Sequence, residues 1–146
     1  MIYKTIFSLL MVLFLTSSMS VRQTGTLTIF ISDFRSNKGN VSVALFNNED
    51  AFPKLPEKAV SVMFLPITGN KSMAVFQNLP AGEYAVSVYH DENNKKKMDT
   101  NFFGIPKEGV GASNNARGHL GPPKYKDAKF LFNGKSQTIQ IQIVYL

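Results

Sequence analysis

The chain of 146 residues contains no cysteine and no tryptophan. The missing cysteine excludes disulfides, a thiolate nucleophile, Cys-ligated zinc, iron–sulfur clusters and a cysteine-linked lipid anchor. Charge is also sparse: 18% of residues are charged, and 16 Lys+Arg against 10 Asp+Glu give a formal net charge of +6. With 44% hydrophobic residues, this composition excludes wholesale disorder. Only one long apolar run occurs, Ile6 to Leu15. It falls short of the roughly 20 residues that span a bilayer. The length admits one domain of ordinary size.

That apolar run has the surroundings of an export signal. Lys4 precedes it, and Ser18-Met19-Ser20 follows with the small-x-small pattern of a cleavage site. The expectation is a signal peptide over residues 1–20, a mature start near Val21, and a final location in the periplasm or the extracellular medium. No transmembrane anchor is expected after cleavage; an uncleaved anchor is the alternative. The remaining segment, 21–146, is about 126 residues and can build its own core. With no disulfides, an exported fold must rely on that core.

The mature segment alternates. Leu27, Ile29 and Ile31 share one parity, as do Val41, Val43 and Leu45, which is the period of half-buried strands. Residues 47–56, with Phe52, Pro53 and Pro56, read as a loop. A third run spans Ala59 to Leu65, and Thr68-Gly69-Asn70-Lys71 turns into a fourth from Met73 to Phe76. After the Pro80-Ala81-Gly82 turn, Tyr84, Val86 and Val88 mark a fifth strand. Ala128, Phe130 and Phe132 begin another. Asn133-Gly134 signals a hairpin into the alternating run Ile139, Ile141, Ile143 and Tyr145. The expected fold is all-β: an antiparallel immunoglobulin- or transthyretin-like β-sandwich of about seven strands. Its exception is a long ordered loop over residues 90–127, with no strand of its own.

That loop holds the candidate site. Asp91, Asn93 and Asp99 stand at relative positions 1, 3 and 9, a spacing by which short loops wrap Ca²⁺ with oxygens. Lys95 occupies the next expected ligand position, Lys96 stands where the turn would want glycine, and no glutamate stands at position 12. The three consecutive charges Lys95-Lys96-Lys97 oppose a cation. A solvated polar turn is therefore the alternative to a degenerate calcium-stabilised loop. Further on, Phe102, Phe103, Ile105, Leu120 and Tyr125 are expected to anchor the loop on the sandwich. Tyr84, His90, Asn101, Glu108, Ser113, Asn114 and Asn115 are the candidate ligand-binding residues, with Tyr89 a possible neighbour. Against this, Asn and Ser in turns often bond the loop's own backbone. His90, at a strand end, can equally bond a loop carbonyl.

No catalytic signature appears. Ser113 lies in Gly-Ala-Ser-Asn-Asn and not in a nucleophile elbow. His90 and His119 are far apart and lack the His-Glu-x-x-His spacing of zinc hydrolases. An envelope hydrolase using His90 or His119 stays a third alternative, requiring either ring beside Ser113 or a carboxylate. The basic excess is too thinly spread for a nucleic-acid partner.

The run from Phe76 to Phe130 resembles the exported bacterial family known as domain of unknown function 2141. The resemblance rests on Phe76, Leu79, Pro80, Gly82, Tyr84 and Ala85, then on His90, Asp91, Asn93, Asp99 and Asn101. It continues through Gly104, Pro106, Glu108, Ser113 to Asn115, Gly121 to Pro123, Asp127 and Ala128. The opening Leu27 to Phe46 matches as well. The chain departs from the family pattern at Lys95 and Lys96, which replace an Asn and a Gly. The resemblance implies an exported transthyretin-like sandwich and supplies no activity or cofactor. Together with the residues, it points to a non-catalytic binding or accessory module of the cell envelope.

Overall fold

A computed structural model describes residues 22–146. The expected signal peptide, 1–20, lies outside the described residues. Eight strands form two sheets. β1 (Thr24–Ser32) lies between β4 (Ser72–Pro80) and β8 (Gln137–Gln142) in a three-stranded sheet. The second sheet runs in the order β3 (Ser61–Pro66), β2 (Asn40–Phe46), β5 (Gly82–Asp91) and β6 (Val110–Ala112). β7 (Phe130–Phe132) pairs with residues 82–84 of β5, beside β6 on the same edge. A four-residue helix, α1 (Tyr125–Ala128), and two 3₁₀ turns complete the chain.

The alternation is what packs these sheets. Leu27, Ile29 and Ile31 of β1 face Val41, Val43 and Leu45 of β2 and Val86 and Val88 of β5, all buried in one core. Five of the expected strands coincide with β1 to β5. β4 and β5 outrun the expectation, because pairing with β1 and β2 carries both strands past their apolar residues.

Three expectations are corrected. Segment 90–127 does contain a strand, Val110-Gly111-Ala112, which pairs with Ser87 to Tyr89. Three residues, one of them glycine, carry no readable period. Asn133-Gly134 does not turn a hairpin: β7 belongs to the five-stranded sheet, and β8 crosses over to run parallel to β1. The sandwich is thus antiparallel except for that one pair. Finally, Phe102, Phe103 and Leu120 point into solvent, and of the proposed apolar anchors only Tyr125 is buried.

Tyr125 belongs to a second apolar cluster, on the outer face of the five-stranded sheet. Ala44 and Phe46 of β2 and Ala85 of β5 are covered there by Ala51, Phe52, Tyr125 and Ala128. Phe52 meets both Phe46 and Tyr125 edge to face, at 5.5 and 5.9 Å. The 47–60 loop and the end of the long segment therefore form a third layer. Among the described residues, no helix is long and apolar enough to cross a membrane.

Candidate functional site

The candidate residues fall into four places. Tyr84 is in the sandwich core, packed against Phe132 at 6.4 Å, with its hydroxyl donating to the Pro80 carbonyl at 2.9 Å. Burial pushes its phenol pKa up. Six residues of extended strand, about 20 Å, separate it from His90. Tyr84 and the His90 end of the segment do not form one patch.

The second place is built around the C-terminal end of β5. His90 is fully buried, on the same parity as Val86 and Val88, with Phe34 edge-on at 5.2 Å. Its Nε2 lies 2.7 Å from the Lys38 carbonyl, and its Nδ1 lies 2.8 Å from the Tyr145 hydroxyl. A carbonyl can only accept, so Nε2 carries a proton, and in the neutral ring the Tyr145 O–H then donates to Nδ1. The Tyr145 oxygen in turn accepts the Arg35 backbone N–H at 3.0 Å. Arg35 lies 4.5 Å over the Tyr145 ring and forks onto Glu92, with Nε to Oε1 at 2.8 Å. That fork holds the Glu92 carboxyl below its ordinary pKa, with burial opposing it. Gly39 lets β2 begin beside this cluster: it has φ +68°, and a Cβ there would lie 2.0 Å from the Asp91 carbonyl oxygen.

Two buried carboxylates hold the loop that follows. Asp91 Oδ1 and Oδ2 accept the backbone N–H groups of Lys95 and Lys96, at 3.0 and 2.8 Å. Glu108 Oε1 accepts from the Glu92 N–H at 3.1 Å, and Oε2 from the Asp99 N–H at 3.2 Å. Both acids are therefore consumed in ordering backbone. Asp99 receives the Lys95 ammonium at 3.1 Å and the Asn93 amide N–H at 2.7 Å, which hold its carboxyl below the ordinary range. This arrangement does not fit a calcium ion: N–H groups and an ammonium face the oxygens a cation would need. Among the described residues, no group of three or more His, Asp or Glu side chains is placed to hold a metal.

The third place is Asn101, whose Oδ1 accepts the N–H groups of Phe103 and Ile105 at 2.9 and 3.0 Å, bracing a turn. The fourth is Ser113-Asn114-Asn115. The Ser113 hydroxyl donates to the Ala128 carbonyl and accepts from the Val86 N–H at 2.9 Å. The Asn114 amide donates to the Asp127 and Lys129 carbonyls, and Asn115 Oδ1 accepts the Gln142 N–H at 2.9 Å. Asn114 and Asn115 have φ of 58° and 48°, a left-handed conformation that asparagine tolerates better than most residues. This triplet ties β5, β8 and α1 together.

Among the described residues, no buried side-chain nitrogen or oxygen lacks a hydrogen-bond partner. Neither His90 nor the exposed His119 hydrogen-bonds Ser113 or a carboxylate. The nearest approach, His90 Nδ1 to Glu92 Oε1 at 3.7 Å, exceeds hydrogen-bond reach. Sequence reasoning missed Arg35, Glu92 and Tyr145, which with Lys38, Asp99 and Lys107 line an open polar depression of ≈ 670 Å³ or support it from below. Arg35 lies in a turn and Tyr145 close to the end of the sequence. Nothing in a period-two pattern links positions so far apart.

The architecture defines an all-β sandwich whose β5-to-β7 excursion is ordered by its own polar side chains. Residues 29–140 match the family described as uncharacterized protein conserved in bacteria, domain of unknown function 2141, and the chain belongs to that family. No curated protein and no solved structure shows a significant match to it.

Proposed function

We propose that the chain is an exported, non-catalytic accessory module of the cell envelope, with segment 90–127 serving as a pre-ordered presenting surface. The observation that carries this reading is the state of the groups capable of chemistry. His90, Asp91, Glu108 and Ser113 are each buried and hydrogen-bonded to backbone or to Tyr145. An acid or base must reach a substrate proton, and a nucleophile must be activated by a neighbour; the burial and backbone bonding of these four residues argue against either role for them. The export component is supported by Lys4, the apolar run from Ile6 to Leu15 and Ser18-Met19-Ser20. The candidate binding residues act in this reading through the loop shape they impose.

A screen of residues 22–146 tests it. Chromogenic esters, phosphoesters, glycosides and peptides should give no turnover above buffer. Turnover abolished by His119→Ala, at an unchanged melting temperature, would overturn the non-catalytic reading. Millimolar Ca²⁺ in a thermal-shift assay should leave the melting temperature where it was, since a ligand of the native state would raise it by mass action.

A further inference from the structure

The turn braced by Asn101 presents an apolar tip. Phe102 and Phe103 are 97% and 82% exposed, and Ile105 is 45% exposed. The two rings meet each other edge to face at 5.5 Å. Their exposure belongs to a braced structure. Besides the Asn101 side chain, the turn has backbone bonds from Asn101 N–H to the Ile105 carbonyl at 2.8 Å and from Gly104 N–H to the Asn101 carbonyl at 3.0 Å. At its base, Lys107 N–H donates to the Asp99 carbonyl at 2.9 Å, and Glu108 grips the Asp99 N–H.

The charge behind this tip has one free sign. Glu92 is taken by Arg35, Asp99 by Lys95, and Asp91 and Glu108 by backbone N–H groups. Lys96, Lys97 and Lys107 are exposed, and among the described residues none of them pairs with a carboxylate. Exposed aromatic rings on a rigid turn, with lysines behind them that no carboxylate neutralises, complement an anionic lipid surface; the Lys96 ammonium lies 5.6 Å from the Phe64 ring centroid and keeps its charge. The rings suit the boundary between headgroups and acyl chains, and the ammonium groups suit the phosphates. A protein partner is the poorer match. A stable interface needs roughly 800 Å² per side, more than three side chains on a turn supply. A second copy would also bring two cationic collars together.

We propose that the hairpin of residues 95–107 docks this domain on an anionic lipid bilayer, with Phe102 and Phe103 entering the headgroup region and Lys96, Lys97 and Lys107 facing the phosphates. The module reading says only which membrane is met, and the docking test does not depend on it. Enzymatic turnover would overturn the module reading and leave vesicle binding untouched, and the converse also holds.

Residues 22–146 contain both apolar clusters entire, from Leu27 to Ile143, so they carry their own core. Because the chain has no tryptophan, Phe103→Trp supplies a single indole, at the tip, that can be excited apart from the tyrosines. Its emission should shift to the blue, and the protein should co-float, with phosphatidylcholine vesicles containing phosphatidylglycerol. Replacing Phe102 and Phe103 together by serine should weaken binding at least about tenfold. Changing Lys96, Lys97 and Lys107 to glutamine should weaken it by about fivefold per lysine, and added salt should weaken the unmodified protein similarly. Binding unchanged by the serine replacements, or no flotation with anionic vesicles, overturns the proposal. So does self-association that needs Phe102 and Phe103 while vesicles are ignored. Were the serine variant to melt early, quenching of the Phe103→Trp indole by brominated lipid decides instead; no quenching overturns the docking.

Discussion

The sandwich interior and the segment from His90 to Asp127 are both ordered, by opposite means. In the interior, Leu27, Ile29, Val43, Leu45, Val86 and Ile141 are buried against one another, and the ordering force is apolar and without direction. In the segment, Asp91, Asn101, Glu108, Ser113, Asn114 and Asn115 each hold backbone through directed hydrogen bonds. A chain without cysteine cannot staple such an excursion covalently. Side chains that look like a ligand site in the sequence are here the fastenings of a loop. The loop then has apolar surface to spare at its tip.

The comparison can be broken from either side. The largest effect belongs to the interior: Leu45→Ala should cost about 3 kcal/mol in urea unfolding, because the cavity has few ways to collapse. Amide exchange should then accelerate in both sheets. Asp91→Ala should cost less, about 2 kcal/mol, as two backbone N–H groups lose a charged acceptor. Its signature is local, with exchange at Lys95 and Lys96 rising far more than exchange along β1 and β8. Were the two variants indistinguishable by exchange, the segment would be part of the same cooperative unit as the core.

Smaller effects sharpen the picture. The folded-state pKa of Glu92 lies below its unfolded value, first through the Arg35 hydrogen bond. Its stabilising contribution is therefore present above an unfolded pKa of about 4.3 and is lost as pH falls through the folded value. Arg35→Met should cost about 0.5 kcal/mol at neutral pH, since the pair is half open to solvent. In acid the variant and the unmodified protein should converge, and a pH-independent difference would argue against the ion pair. Lys96 has φ 57°, where a Cβ is strained. Lys96→Gly should raise stability by about 0.5 kcal/mol, the relief of strain exceeding the added chain entropy. No gain on thermal denaturation would mean that the Asp91 clamp absorbs the strain.

How much of this was legible depends on whether a signal is local. Leu27-Thr28-Ile29 and Tyr84-Ala85-Val86 announce strands and their buried faces, because period two is written in neighbouring residues. The parity of His90 with Val86 and Val88, at a strand end, places its ring at the sheet edge beside the loop, whereas the structure buries it fully. Val110-Gly111-Ala112 is a strand only because Ser87 to Tyr89 is there to pair with it. Asn133-Gly134 has the composition of a hairpin turn, yet β8 finds a better neighbour in β1. The candidate residues of segment 90–127 stand out in the sequence by their types and spacing. Asp91 and Asn101 bond backbone two to five residues on. By contrast, Lys38 and Tyr145, which hold His90, and Val86 and Gln142, which bond Ser113 and Asn115, lie 27 to 55 residues away in sequence and left no local trace.

By itself, then, the sequence determined an all-β sandwich, the faces of its main strands, the absence of any covalent staple and the position of its one long excursion. These follow from local periodicity and composition. Only the tertiary structure decided which polar groups in that excursion are spent and which groups are free. A hydrogen bond needs both partners within about 3 Å, and it is the packing of the two sheets that brings Arg35, His90, Glu92 and Tyr145 together. The same packing leaves Phe102 and Phe103 outside, on a turn whose backbone is already satisfied.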